Sequence, residues 1–132
     1  MQDKQIIAKG IKMAKVLIID DEIDLVETMT FRLESAGYEV INAFDGLEGL
    51  DKARAENPDI ILLDVMMPKM DGYHVCRMLK FDEKYRHIPI IMLTARGQEQ
   101  DKATGLEVKA DLYMTKPFES SELMTNIKKL ID

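Results

Sequence analysis

Five short apolar runs alternate with helical patterns along the chain, and this alternation restricts the possible folds more than any other feature. The runs are KVLIID (15–20), YEVINA (38–43), DIILLD (59–64), IPIIMLTA (88–95) and ADLYMT (110–115). The most apolar of them are typical of strands buried on both faces. Strands that alternate with helices predict a parallel sheet covered by helices on both sides.

The segments between these runs have the spacing of amphipathic helices. We predict helices over 23–36, 47–55, 72–80, 97–109 and 121–131, and the 97–109 segment has the fewest apolar anchors. In the third helix we expect Val75, Met78 and Leu79 to face inward. Right-handed crossovers then favour a doubly wound, five-stranded α/β fold with the flavodoxin-like strand order 2-1-3-4-5. Residues 1–12 fit no element, so we interpret them as an extension or linker before a domain at 13–132.

Composition excludes several classes of function. The chain has 132 residues, a formal charge of −6 and a pI near 5.0, which argues against a nucleic-acid surface. It has neither a run long enough to cross a membrane nor a secretory signal pattern. Cys76 is the only cysteine, and His74 and His87 share no metal-ligand spacing. We therefore expect a cytoplasmic protein without disulfides.

Polar side chains follow the strands at the positions where the strands end. Asp20 and Asp21 follow the first strand, and Asp64 ends the third. Thr94 and Lys116 lie at the ends of the fourth and fifth. Because ligands bind at the carboxyl edge of an open parallel sheet, we expect these side chains to converge there.

A divalent cation explains why three acids should lie side by side. Any single aspartate at a strand end is often only a helix cap. Asp20 and Asp21 together with Asp64 would repel one another unless a positive charge lies between them. Oxygen ligation by a few carboxylates, with water molecules retained, suits Mg²⁺. The sequence therefore predicts a magnesium site at this edge.

Four motifs, taken together, resemble the receiver domain of two-component response regulators over residues 14–132. The motifs are LIIDDE (17–22), IILLDVMMPKMDG (60–72), IIMLTA (90–95) and KADLYMTKPF (109–118). The combination is specific because all four occur in order and at strand ends. One departure is Lys109, where the family commonly has glycine, in a loop away from the acids.

The resemblance implies a role for each residue of the acidic edge. Asp64 would accept a phosphoryl group. Asp21, Asp64 and the backbone carbonyl of Met66 would bind Mg²⁺ directly, and Asp20 would act largely through bound water. Phosphoryl transfer requires an in-line nucleophile and neutralisation of the phosphoryl oxygens, which these groups can provide.

The same resemblance implies a switch. Thr94 would donate a hydrogen bond to one phosphoryl oxygen, and Lys116 would pair with another. Tyr113 would change rotamer on activation. The peptide bond between Lys116 and Pro117 would be cis, which is rare outside X-Pro sites.

Partners follow from the resemblance as well. The phosphodonor would be a sensor histidine kinase or a histidine phosphotransfer protein. A downstream protein would bind the face made by the fourth helix, the fifth strand and the fifth helix. Because no output domain follows Asp132, we expect a stand-alone, chemotaxis-regulator-like switch or an excised fragment of a longer chain. We expect a switch and not a metabolic enzyme, one that catalyses its own phosphorylation and dephosphorylates slowly. Met66 has no strong hydrogen-bonding group to orient an attacking water, and Arg96 cannot accept a proton from it.

Three other readings remain open. A flavodoxin-like electron carrier needs a phosphate-cradling loop after the first strand, where this chain has the acidic DDEIDL. A haloacid-dehalogenase-type phosphatase has a second acid two residues after its nucleophile, where this chain has Met66. A degenerate receiver would act as a scaffold without phosphorylation, and Mg²⁺ binding separates it from a phosphoacceptor.

Overall fold

The computed structural model describes residues 6–7, 11–95 and 109–131. From residue 15 to residue 95 its strands and helices alternate as the sequence predicts. The strands are β1 (Ile6–Ile7), β2 (Ile11–Lys12), β3 (Lys15–Ile19), β4 (Glu39–Ala43), β5 (Ile60–Asp64), β6 (Ile90–Ala95) and β7 (Leu112–Lys116). The helices are α1 (Ile23–Ser35), α2 (Gly46–Glu56), α3 (Gly72–Lys80) and α4 (Ser120–Ile131).

Five of these strands form one parallel sheet in the order β4-β3-β5-β6-β7. Numbered within that sheet, the order is 2-1-3-4-5, so the predicted doubly wound architecture is confirmed. The sheet separates two apolar cores. One lies under α2 and α3 and contains Leu50 and Leu79, and the other lies under α1 and α4 and contains Leu33 and Ile127.

The central strand β5 contributes to both cores, as a strand with helices on both sides must. Ile60 and Leu62 belong to the core under α1 and α4, whereas Ile61 and Leu63 belong to the core under α2 and α3. All four side chains have no exposed surface. This burial explains why the run before Asp64 is continuously apolar instead of alternating.

The predictions for residues 1–12 and for the helix over 97–109 are not tested by the structure in full. In the segment predicted to be an extension, β1 and β2 form an antiparallel pair, a sheet separate from the five-stranded one. The domain boundary at residue 13 stays a prediction. The helix predicted over 97–109 lies almost entirely outside the described residues.

The inward face of α3 corrects one prediction. Val75 and Leu79 are fully buried as expected, but the prediction for Met78 is wrong because its side chain is 39% exposed. Cys76 is buried instead, since the inner face of a helix follows the spacing i, i+1, i+4 and i+5. Lys80 continues that face, and its ammonium group donates to the carbonyl oxygens of Arg86 and Ile88.

The outer edge of the sheet at β4 carries a lysine contact. The carbonyl of Ala43 accepts from the backbone N–H of Asp20, which directly follows β3, so the preceding carbonyl, that of Asn42, points outward from the edge of the sheet. Lys52 of α2 donates to that carbonyl over 2.6 Å, and the Asn42 amide donates to Thr30 of α1. The helices on both faces are therefore tied to the free edge.

Helix starts in this fold depend on short acids. Asp45 accepts from the backbone N–H of Glu48 at the start of α2, and Asp71 accepts from that of His74 at the start of α3. Glu48 in turn accepts from the backbone N–H of Phe44, the residue before the N-cap, so a second backbone donor at this helix start is paired. Helix α1 starts differently, because Glu22 at its N-cap makes no side-chain cap.

Candidate functional site

Acidic side chains from two neighbouring strands meet at the carboxyl edge of the sheet. Asp20 and Asp21 directly follow β3, and Asp64 is the last residue of β5, its neighbour in the sheet. One carboxylate oxygen from each of the three lies within 4.8 Å of the others. Asp20 has no exposed surface and Asp64 has 6%, whereas Asp21 is exposed. The topology therefore brings together the acids that the sequence pattern singles out.

Lys116 brings a positive charge into this cluster from the end of β7. Its Nζ lies 2.8 Å from Asp20 Oδ2, 2.7 Å from Glu22 Oε1 and 3.2 Å from Asp64 Oδ1. The peptide bond that follows it, Lys116-Pro117, is cis, as the resemblance implied. One lysine thus contacts three acids, and with Asp21 beside them this group of described residues keeps an excess of negative charge.

The excess of negative charge affects the pKa values of Asp64 and Lys116. Burial and the neighbouring charge of Asp20 raise the pKa of Asp64 to about 6, although Lys116 acts in the opposite direction. Burial alone would lower the pKa of Lys116, but hydrogen bonds to Asp20 and Glu22 outweigh it and raise that pKa above its ordinary value. A carboxylate this costly to ionise favours a further cation.

The donor set fits magnesium. Three clustered carboxylates, two of them buried, offer hard oxygen ligands and an uncompensated negative charge. Met66 lies two residues after Asp64, in the loop between β5 and α3, and its side chain is 62% exposed. Its apolar side chain therefore lies in solvent at the margin of the site.

The backbone around Asp64 is held in a tight turn. Gly72 donates from its N–H to the carbonyl of Val65, so the loop returns to the strand end before α3 begins. A Cβ atom added at Gly72 would collide with the backbone carbonyl of Asp64. Lys69 in the same loop has a φ of 71°, in the left-handed region. Glycine at position 72 is therefore a steric requirement of the loop that follows Asp64.

Thr94 lies on β6, the neighbour of β5 in the sheet, and Tyr113 lies on β7, the next strand beyond β6. Thr94 is 3% exposed, and its hydroxyl donates to the carbonyl of Met114 over 3.4 Å. Tyr113 packs against the core under α2 and α3. Its hydroxyl is buried and has no hydrogen-bond partner among the described residues, and burial raises its pKa to about 12. A buried hydroxyl of this kind is costly to leave unpaired.

Sequence reasoning missed one member of the cluster. Glu22, which directly follows Asp20 and Asp21 in the chain, has no role in the sequence-based prediction, yet it makes the shortest of the three contacts to Lys116. A long acid at a helix N-cap, where Ser, Thr, Asp and Asn are preferred, was the available signal. Lys109, the departure noted at the loop before β7, has a φ of 66° and places its Nζ 5.8 Å from the ring centroid of Phe81. The backbone there keeps the geometry that glycine would adopt.

Comparison with known proteins agrees with the geometry. The family model described as "Response regulator receiver domain" matches residues 16–128. The alkaline phosphatase synthesis transcriptional regulatory protein PhoP of Bacillus subtilis is 48% identical over 117 residues, which cover 89% of this chain and 48% of that protein. The chain thus spans about half the length of the curated relatives it matches.

Solved structures give the same result. The chemotaxis response regulator CheY4 of Vibrio cholerae has a TM-score of 0.84 and 36% identity, covering 90% of this chain and 99% of that one. The receiver domain of the Pseudomonas aeruginosa sensor histidine kinase PA1611, solved with a magnesium ion in its active-site cleft, has a TM-score of 0.83 and 30% identity, covering 90% and 98%. The chain belongs to the receiver domain family of two-component response regulators.

Proposed function

We propose that Asp64 is the phosphoacceptor of this receiver domain and that the phosphodonor is the phosphohistidine of a sensor kinase or a histidine phosphotransfer protein. The observation that carries the proposal is the meeting of Asp64 with Asp20, Asp21 and Lys116 at the carboxyl edge of the sheet. Phosphoryl transfer is general to the family. The positions of the other site residues support the roles proposed for them below.

In the transfer step, a carboxylate oxygen of Asp64 attacks phosphorus as the bond from phosphorus to the donor imidazole nitrogen breaks. The electron pair of that bond leaves with the nitrogen, and the product is an acyl phosphate on Asp64. No proton needs to be removed from the nucleophile in its ionised form. Because the pKa of Asp64 is about 6, most of this carboxyl is ionised near neutral pH.

Asp20, Asp21 and Asp64, with the carbonyl of Met66, would hold Mg²⁺. The ion, when bound, neutralises the charge that accumulates between the acids and the phosphoryl oxygens. The chain itself supplies a fixed cation in Lys116, whose side chain is 15% exposed and whose position is set by the end of β7. Its ammonium group is placed to donate to a phosphoryl oxygen.

Switching would use Thr94 and Tyr113. The Thr94 hydroxyl is occupied by a long hydrogen bond to Met114, which it can exchange for a phosphoryl oxygen at little cost. We infer that this exchange moves the end of β6 and changes the rotamer of Tyr113, whose buried hydroxyl lacks a partner in the described part of the chain. The differential contact shifts the population toward an active form.

The output partner is a protein that binds the face containing β7 and α4.

Within residues 6–7, 11–95 and 109–131, no helix has both the length and the apolar character of a membrane crossing. The acidic composition argues against nucleic acid at the receiver surface itself. The relative named as a transcriptional regulator matches over only half its length, so this expectation concerns the receiver alone.

The test uses a small phosphodonor, which removes the need for the cognate kinase. Acetyl phosphate with Mg²⁺ should add one acid-labile phosphoryl group, and peptide mapping should place it on Asp64. Asp64→Asn and chelation of the metal should each abolish it. Asp51→Asn, an exposed acid in α2, is the control and should react as the wild type does. Persistent labelling of Asp64→Asn that does not map to a neighbouring acid contradicts the assignment.

The competing scaffold interpretation differs in one measurement. A receiver that has lost phosphorylation would show no magnesium-dependent stabilisation. Millimolar Mg²⁺ should raise the melting temperature of the wild type, because a ligand that binds only the folded state stabilises it. The gain should disappear in Asp21→Ala. An unchanged melting temperature of the wild type would favour the scaffold.

A further inference from the structure

Glu22 occupies the hydrogen-bonding capacity of Lys116 that a phosphoryl group would need. A lysine ammonium has three N–H donors. In this structure Lys116 has three carboxylate partners, Asp20, Glu22 and Asp64, at 2.8, 2.7 and 3.2 Å. A phosphoryl oxygen can therefore bind Lys116 only by displacing one of them.

The Glu22 side chain contacts Lys116 and does not cap the helix that it precedes. It is the N-cap of α1, with an extended backbone (φ −83°, ψ 97°) and no side-chain hydrogen bond to the helix. Its backbone N–H donates to Asp20 Oδ1 over 2.9 Å, which fixes the residue beside the acids. The helices α2 and α3 start with aspartates that do cap, so the glutamate at α1 is a local exception directed at Lys116.

The three partners of Lys116 differ in how readily they can be released. The side chain of Asp20 has no exposed surface and that of Asp64 has 9%, so each would be left as a buried, uncompensated charge. The side chain of Glu22 is 60% exposed and returns to water when it separates from Lys116. The Glu22–Lys116 contact is therefore the one that exchanges at least cost.

The surroundings leave room for this exchange. Glu22 and Lys116 both line a cavity of about 410 Å³, together with Leu25 and Phe118. The Glu22 side chain can move within that space without displacing the backbone of α1.

We propose that Glu22 is a positioning residue that holds the Lys116 ammonium group in the unphosphorylated protein and competes with the phosphoryl oxygen for it. The competition lowers the rate at which Asp64 is phosphorylated and the stability of the phosphorylated form. This proposal rests on the proposed role of Asp64. Release of Glu22 is the local event that accompanies phosphorylation.

Two substitutions separate the contact from the charge. Glu22→Asp keeps the charge but is one methylene shorter, so it loses Lys116 and can cap α1 instead. Glu22→Gln keeps the length and removes the charge. Both variants should be phosphorylated by acetyl phosphate about two- to fivefold faster than the wild type, the scale of one exposed ion pair. Asp24→Asn removes an exposed charge from the same helix turn and should change the rate less.

Two NMR measurements test the contact between Glu22 and Lys116 directly, and the first of them is made without metal. The ¹⁵N signal of the Lys116 ammonium group, recorded with a chelator present, should shift and exchange its hydrogens faster in Glu22→Asp and Glu22→Gln. Asp24→Asn should leave that signal unchanged. In the wild type, beryllofluoride with Mg²⁺ should move the side-chain carboxyl ¹³C signal of Glu22 to the value of an exposed glutamate. Thermal melts check that all variants fold.

The outcomes are distinct. If the wild type incorporates no phosphoryl group at Asp64, the proposed function fails and this inference falls with it. If the wild type reacts and both Glu22 variants match it, only the Glu22 proposal is overturned. A faster reaction in Glu22→Gln but not in Glu22→Asp would assign the effect to charge alone, which also overturns the contact mechanism.

Discussion

Lys80 and Asp111 form an ion pair at the amino edge of the sheet, with 2.7 Å between Nζ and Oδ2. The lysine is 7% exposed and donates also to the carbonyl oxygens of Arg86 and Ile88. Asp111 accepts from the backbone N–H of Ile90 as well. The pair thus joins the end of α3, the following loop and the starts of β6 and β7.

Lys80→Met should destabilise the fold by about 2 kcal/mol, because it removes the ammonium donor from the buried carbonyl oxygen of Ile88 and the cationic partner from Asp111. Urea unfolding measures the change. Lys84→Met, at an exposed neighbour, should stay within about 0.5 kcal/mol of the wild type. The double variant with Asp111→Asn should lose less than the sum of the two single changes. Full additivity would mean that the pair is not coupled.

The raised pKa of Asp64 predicts a pH-dependent stability in metal-free buffer. The folded protein holds this proton up to about pH 6, whereas the reference carboxyl releases it near 3.8. The wild type should therefore lose stability as the pH rises through that interval, by at most about 3 kcal/mol. Asp64→Asn lacks this loss, so its advantage in melting temperature should be larger at about pH 8 than at about pH 4. An advantage independent of pH contradicts the assigned shift.

Gly72→Ala should damage the site more than the fold. Its new Cβ meets the backbone carbonyl of Asp64, so the strand end must shift. We expect phosphorylation by acetyl phosphate to fall at least about tenfold, the scale that a misplaced reacting group can cause. Gly37→Ala is the matched control: it is strained by a φ of 97° but meets no atom within 4 Å. That variant should lose stability and keep the wild-type phosphorylation rate.

Thr94→Ala and Lys116→Ala should still accept some phosphoryl group but fail to switch. Their oxygen and nitrogen atoms are the groups that we expect to bind the phosphoryl oxygens only in the active form. Amide chemical shifts of residues 95–118, recorded with and without beryllofluoride, report the change. A response in Thr94→Ala equal to that of the wild type would show that the coupling does not pass through this hydroxyl.

The phosphorylated form should persist for minutes or longer. Loss of the phosphoryl group needs a water in line with the bond from phosphorus to the Asp64 oxygen, and the exposed Met66 has no strong hydrogen-bonding group to orient it. The second flanking position, Arg96, lies outside the described residues. Met66→Asn combined with Arg96→Glu should shorten the half-life. Decay in the double variant that is equal to or slower than in the wild type contradicts this account.

The fold and the position of the acids could be predicted from sequence because each depends on a regular pattern. The alternation of short apolar runs with helical patterns predicts a parallel sheet, and the parallel topology then places Asp20 and Asp64 at one edge of it. The cis bond before Pro117 followed from the family resemblance.

The contacts of individual long side chains were harder to predict from the sequence. The inward face of α3 was misassigned at Met78, because helical periodicity alone did not show that Cys76 and Lys80 share the buried side. The buried state of Lys80 depends on Asp111, which is distant in sequence. Glu22 likewise depends on Lys116, 94 positions away. Such pairings are set by tertiary geometry and leave little local signal.

The lysine contact at β4 bears on how this protein behaves at high concentration. The outward carbonyl of Asn42 belongs to an edge strand, where an unpaired carbonyl invites pairing with a strand of another molecule. Lys52 occupies that acceptor and places a charge beside it. An incoming strand would have to displace the ammonium group first. Strand addition at this position of the edge is thereby disfavoured.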